Sequence, residues 1–129
     1  MATSRVFISF DFDHDEELKH SLVGQARQAD SPFSISDWSI KQELPGDWVE
    51  KVRQRIRKVD QVIVMCGKHT HQATGVATEL GIAKKEGKPY FLLTGRPNDT
   101  CTRPTTASSS DKMYKWSWPN LQKLIGGAR

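Results

Sequence analysis

Glu79 has the most unusual surroundings of any ionisable residue in this chain of 129 residues. It lies in the segment Thr74-Gly-Val-Ala-Thr-Glu79-Leu-Gly-Ile-Ala83. On a helix, the positions three and four away share a residue's face. For Glu79 these are Gly75, Val76, Ile82 and Ala83, with no cation and no polar side chain among them. A carboxylate in such company is partly desolvated, which suits it to stabilise developing positive charge or to act as a base. The small neighbours also leave room for a ligand. The other reading is a glutamate that pairs with a remote group or edges into solvent.

Other chemistry-bearing residues give weaker signals. Asp11 and Asp13 follow an apolar run, as paired aspartates do in magnesium-dependent phosphotransfer sites. Such a site needs further acidic groups. The third apolar run instead ends in Met65-Cys66-Gly67-Lys68, and no later acidic pair follows. Asp13 with Glu16 has the form of a capping box, which makes Asp13 a helix cap. His14, His20, His69 and His71 do not share a spacing that would put metal ligands on one helix face, so they read as turn histidines and no metal site is expected. Neither GxGxxG nor GxxxxGK occurs. Cys66 sits within an apolar run and reads as a buried, inert thiol. Trp38 follows Asp37 at the end of a run, where it either stacks on a flat ligand or packs.

The elements that must position these residues alternate along the chain. Apolar or alternating runs at 6–10, 33–38, 61–66, 90–94 and 113–116 read as strands. Helical patterns lie between them at residues 14–29, after the Asp13 cap, 48–59 and 76–86, and a closing helix starts at Trp118-Pro119. Asp47 with Glu50 forms a second capping box. Residues 39–46 are a polar loop with Pro45-Gly46 near its end. Residues 96–111 have no periodicity and read as a flexible, functional loop. The alternation argues for an α/β domain spanning 1–129: a three-layer sandwich around a five-stranded parallel sheet in the flavodoxin-like order 2-1-3-4-5. Ligands of such sheets bind beyond the carboxyl ends of the strands, near the switch point between strands one and three. That rim is predicted to hold Phe10, Asp11, Asp37, Trp38, Gly67 and Lys68, with the Glu79 helix starting above it.

Composition narrows the function classes. Hydrophobic residues make up 36% and charged residues 26%, as in a soluble globular domain. No run approaches a membrane span, and a strand begins almost at once, so no signal peptide is expected. Two cysteines make no disulfide framework, and the expected compartment is a reducing cytoplasm. The net charge of +4 is densest at Lys51, Arg53, Arg55, Arg57 and Lys58, opposite the apolar face of Trp48, Val52 and Ile56. This is a solvated basic face. No nucleic-acid module accompanies it.

Taken together, the opening strand Arg5-Val-Phe-Ile-Ser-Phe10, the Trp48 helix, the Gln61 strand and residues 70–93 resemble the Toll/interleukin-1 receptor (TIR) family. The nearest likeness is to the bacterial TIR-like proteins of the DUF1863 or Thoeris-type group used in anti-phage defence. Two short stretches carry it: Val6-Phe-Ile-Ser9, and the Glu79 segment followed by Gly87-Lys-Pro89 and a strand. The resemblance implies an enzyme that cleaves or cyclises NAD to make a nucleotide signal, with NAD as substrate and no cofactor. By position, Glu79 would be its catalytic acid, and Phe10 and Asp11 would line the nucleotide pocket. Lys68 would meet phosphate, and residues 39–46 would contact a neighbouring protomer in self-association. The family often has a tryptophan four residues before the glutamate, where this chain has Gly75. Two other readings stand beside it: a TIR-like but non-catalytic interaction or nucleotide-sensing module, and a nucleoside deoxyribosyltransferase-like enzyme, which shares the sheet and a helix-borne glutamate but would attack a nucleoside.

Overall fold

The computed structural model describes residues 4–11, 14–29, 31–38, 47–96, 100–108 and 110–127. Five strands are present: β1 (Ser4–Ser9), β2 (Phe33–Trp38), β3 (Gln61–Cys66), β4 (Tyr90–Thr94) and β5 (Met113–Lys115). They form one sheet in the order β2-β1-β3-β4-β5, and every pairing is parallel. The helices are α1 (Glu16–Ala26), α2 (Asp47–Arg57), α3 (Thr74–Lys85) and α4 (Trp118–Ile125), with a 3-10 turn at Thr70–Gln72. The expected flavodoxin-like α/β fold is the one observed.

Strand alternation divides the core into two layers. Phe7, Val62, Val64 and Leu92 face α2 and α3, where they meet Trp48, Val52, Ile56, Val76 and Leu80. Val6, Ile8, Ile63, Met65 and Leu93 face α1 and α4, where they meet Leu18, Leu22, Leu121 and Leu124. All six residues of β3 are buried, as expected of a central parallel strand covered on both faces. β2 lies at an edge, where Ser34 and Ile35 are half-buried and Trp38 is exposed, in keeping with its alternating sequence. Its register against β1 shifts between Val6 and Phe7.

Helix ends differ from expectation in instructive ways. α1 begins at Glu16 with Asp15, not Asp13, in the capping position, and no side chain bonds to its first turn. Asp13 lies outside the described residues. Asp15 does not cap because its carboxylate is turned inward, onto Arg96. Asp47, expected as a cap, is instead the first residue of α2. α3 starts two residues earlier than its apolar periodicity suggests, because Thr74 and Gly75 are already helical. It closes as expected at Gly87, whose φ of 69° is readily adopted only by glycine, and Lys88 N–H returns to Ala83 O at 3.0 Å. Ser117 caps α4 by accepting from Asn120 N–H at 3.3 Å.

Residues 100–108 and 110–111 lean on the body of the domain through several bonds. Thr102 N–H donates to Gly67 O at 2.9 Å, and Thr106 Oγ1 donates to Ala77 O at 2.7 Å. Lys84 Nζ donates to Thr106 O at 2.7 Å. Asp111 accepts from Tyr90 OH at 2.8 Å, and burial followed by this acidic neighbour pushes the Tyr90 phenol up to about 12. No described helix is long and apolar enough to cross a membrane.

Candidate functional site

Three buried carboxylates, Glu79, Asp15 and Asp11, stand near the carboxyl rim of the sheet. Glu79, midway along α3, is 1% exposed. It points toward β1, where Ser9 Oγ donates to Glu79 Oε1 at 2.7 Å. Ser9 shares the face of Phe7 and is fully buried, so the pair lies in the α2/α3 layer at the end of β1. A buried carboxylate is costly unless hydrogen-bonded, and the serine hydroxyl provides a bond without adding charge. The site therefore depends on a polar residue at an inward position of an otherwise apolar strand. That signal was present in Val6-Phe-Ile-Ser9, but the residue types alone did not reveal the role of Ser9.

The small neighbour Gly75 does not simply leave open space. A methyl group placed there would lie 3.7 Å from the indole ring of Trp48. Trp48 comes from α2 and is 5% exposed, and its Nε1–H has no hydrogen-bond acceptor among the described residues. An aromatic ring thus stands beside position 75 even though the residue there is glycine.

The second carboxylate is Asp15, also 1% exposed. Arg96, just after β4, donates from Nε to Asp15 Oδ1 at 3.1 Å and from Nη2 to His14 O at 2.8 Å, and also pairs with Glu17. Burial pushes the Asp15 carboxyl above its ordinary value of 3.8, against the pull of Arg96. The hydrogen bond from Arg96 holds the exposed Glu17 carboxyl below its ordinary value. Gly67 is required here, since a Cβ at that position would sit 2.4 Å from Asp15 Oδ2. Sequence reading missed both Asp15 and Arg96, which are 81 residues apart along the chain.

Between these groups lies the switch point of β1 and β3. Asp11, directly after β1, is 7% exposed, and its Oδ2 is 2.7 Å from His14 Nδ1. The His14 ring stacks on His69 with centroids 4.2 Å apart and planes at 29°. The turn histidines, scattered in sequence, are therefore partly gathered in space. Lys68 is exposed beside them. The remaining expected site residues lie apart from Glu79. Phe10 is 2% exposed and packs in the α1/α4 layer, on the other face of the sheet from Ser9. Trp38 is 39% exposed on the edge strand, with Lys19 Nζ 4.7 Å from its ring centroid. The loop 39–46 lies outside the described residues. Burial pushes the Cys66 thiol up, in keeping with an inert role.

An open groove of about 370 Å³ runs between α2 and α3, lined by Val49, Arg53, Gly81, Lys85 and Thr106 among others. Glu79 is not among its lining residues, so it is not the place where this carboxylate would meet a ligand. Among the described residues, no group of histidines, cysteines and acids is arranged to hold a metal.

Comparison with known proteins agrees with this architecture. The fold is similar to that of a prokaryotic SEFIR domain, with a TM-score of 0.54 and 18% identity over 94% of this chain and 86% of that one. It is also similar to a diflavin flavoprotein A3 from Nostoc sp., with a TM-score of 0.50 and 10% identity over 97% and 88% of the two chains. At such identities the likeness concerns the fold alone. No curated protein matches the chain. The family model described as "Thoeris protein ThsB, TIR-like domain" matches residues 7–97, well over half of the sequence, and the chain belongs to this family of Thoeris-type TIR-like domains.

Proposed function

We propose that this domain cleaves or cyclises NAD, with Glu79 as the essential acid, and so produces a nucleotide signal. Family membership supports a TIR-related role in defence or signalling. The observation that carries the finer reading is a carboxylate 1% exposed, on α3, bonded at 2.7 Å to a hydroxyl at the end of β1. A carboxylate can accept hydrogen bonds from two neighbouring ribose hydroxyls at once. In the reaction, the bond from ribose C1′ to the nicotinamide nitrogen breaks, and its electron pair leaves with neutral nicotinamide. The positive charge that develops on the sugar resembles that of glycoside cleavage, and Glu79 stabilises it electrostatically. Water then attacks C1′ and gives up a proton, yielding ADP-ribose. Attack by a nucleophile of the same molecule gives a cyclic product instead.

Asp11 and Lys68 lie at the same rim and would meet the rest of the nucleotide. Phe10 would act from beneath as a packed floor. Trp38, at the sheet edge, would contact only an extended ligand. Self-association through residues 39–46 and a cytoplasmic setting belong to the same reading. Concentrated protein incubated with NAD, with and without a crowding agent, is expected to release nicotinamide. Glu79→Gln should lower that release by about 10²–10³-fold, the usual effect of losing one electrostatic group at the reacting centre.

Gly75, standing where the family often has tryptophan, favours a second reading as a non-catalytic interaction module. Silence of both proteins, together with no NAD or ADP-ribose binding in calorimetry, would establish that reading. Turnover of deoxynucleosides but not NAD would point instead to a nucleoside deoxyribosyltransferase-like enzyme.

A further inference from the structure

We infer that residues 100–108 brace α3 from outside, and that Thr106 is a positioning residue for Glu79. The consequence for turnover rests on the NAD reading, whereas the brace itself does not. α3 is a weak helix at the place where it carries the acid. Gly75 and Gly81 lie on either side of Glu79, and glycine is a poor helix former. Thr74, Val76, Thr78 and Ile82 add β-branched side chains, which lose rotamer freedom in a helix. No side chain caps the first turn. Such a helix depends on packing from outside to hold its place.

The brace grips the helix ahead of its start, at its middle and in its last turn. Ahead of α3, Thr102 N–H donates to Gly67 O at 2.9 Å, and Thr102 Oγ1 accepts from His71 N–H at 2.9 Å. At the middle, a turn closed by Ala107 N–H donating to Pro104 O presents Thr106, whose Oγ1 donates to Ala77 O at 2.7 Å. In the last turn, Lys84 Nζ donates to Thr106 O at 2.7 Å and to Ser108 Oγ at 2.9 Å. With about 3.6 residues per turn, positions 77, 81 and 84 fall within about 60° of one another, and position 79 lies on the opposite side. The brace and Ser9 therefore hold α3 from opposite faces. Ala77 O is also the helical acceptor for the Gly81 amide. A methyl group at Gly81 would meet Thr106 at 3.7 Å, so the threonine bonds the helix directly at its weak point.

One surface hydrogen bond is a small part of a domain's stability, but a small displacement of a reacting group is costly in turnover. Thr106→Val in the full chain removes the hydroxyl and conserves the shape, while Thr106→Ser keeps the donor. Thr105→Val is the control, since Thr105 is exposed beside it and makes no hydrogen bond with a described residue. In Thr106→Val, kcat for nicotinamide release should fall about tenfold with KM nearly unchanged. Thr106→Ser and Thr105→Val should behave as the parent. The carboxyl carbon signal of Glu79 in NMR should move in Thr106→Val alone. Where the parent cleaves NAD, turnover decides: full activity in Thr106→Val, a loss carried by KM, or an equal loss in Thr106→Ser overturns the proposal and leaves the NAD reading intact. Where the parent is silent, the carboxyl signal decides. Its movement in Thr106→Val alone upholds the brace without the enzyme, and any other pattern overturns the brace. Should Thr106→Val not fold, Lys84→Met, which releases the brace from the last turn, is measured in its place.

Discussion

Glu79 and Asp15 are equally buried acids near one rim, yet the chain holds them by different means. Asp15 is held by a guanidinium that also binds Glu17 and a backbone carbonyl, which ties the end of β4 to the start of α1. Glu79 is bonded to a serine hydroxyl that carries no charge. The arginine contact is a structural clamp. The serine contact orients a carboxylate and leaves the orienting group neutral. Equal burial therefore says little about role, and the chemical type of the partner says more.

The sharpest test of this contrast is to remove the clamp. Arg96→Met leaves Asp15 buried without its counter-charge, and urea unfolding should show a loss of about 3–5 kcal/mol. Glu79→Gln should shift stability by no more than about 1 kcal/mol while removing turnover, since the amide keeps a partner for the Ser9 hydroxyl. If both changes act mainly on stability, the distinction between the two acids collapses.

Ser9→Ala withdraws a donor from a buried carboxylate. A cost of about 1–3 kcal/mol is expected in unfolding, with a fall of about tenfold in any nicotinamide release as Glu79 loses its orientation. Gly67→Ala pushes a methyl group into the Asp15 carboxylate, and overpacking of this kind costs about 1–3 kcal/mol. Its damage should be confined to stability, because the crowded group belongs to the clamp.

The smallest expected effect is one of pH. Burial raises the Asp15 carboxyl above 3.8, so the folded state binds this proton more tightly than the unfolded chain does. The contribution of Asp15 to stability is then greatest below 3.8 and is lost as pH rises through the raised value. Stability curves measured across the acid range should lose that component in Asp15→Asn. A curve unchanged by the substitution would show that Arg96 fully compensates the burial.

Much of the architecture was legible without coordinates. The periodicities of residues 61–66 and 90–94 announced buried parallel strands, and Gly87-Lys-Pro89 marked the end of α3. The alternation in Phe33-Ser-Ile-Ser-Asp-Trp38 placed β2 at an edge. Each follows from a local rule, either side-chain alternation along a strand or the freedom of glycine at positive φ. The capping box at Asp13 and Glu16 shows where local rules stop. It is a sound local pattern, but Asp15 occupies the capping position and spends its carboxylate on a residue 81 positions away.

The site was legible only in its centre. Glu79 stood out because the residues on its own helical face are near in sequence, so its apolar company could be counted directly. Ser9, Trp48, Arg96 and the stack of His14 on His69 come from other elements, and no spacing in the chain relates them. The sequence by itself determined the elements and the one acid in unusual surroundings, because these depend on neighbours within a few residues, and the order in the sheet followed from strand–helix alternation under right-handed crossovers. Only the tertiary structure decided which partner each buried acid has and which histidines meet, because parallel crossovers bring together loops that are distant along the chain.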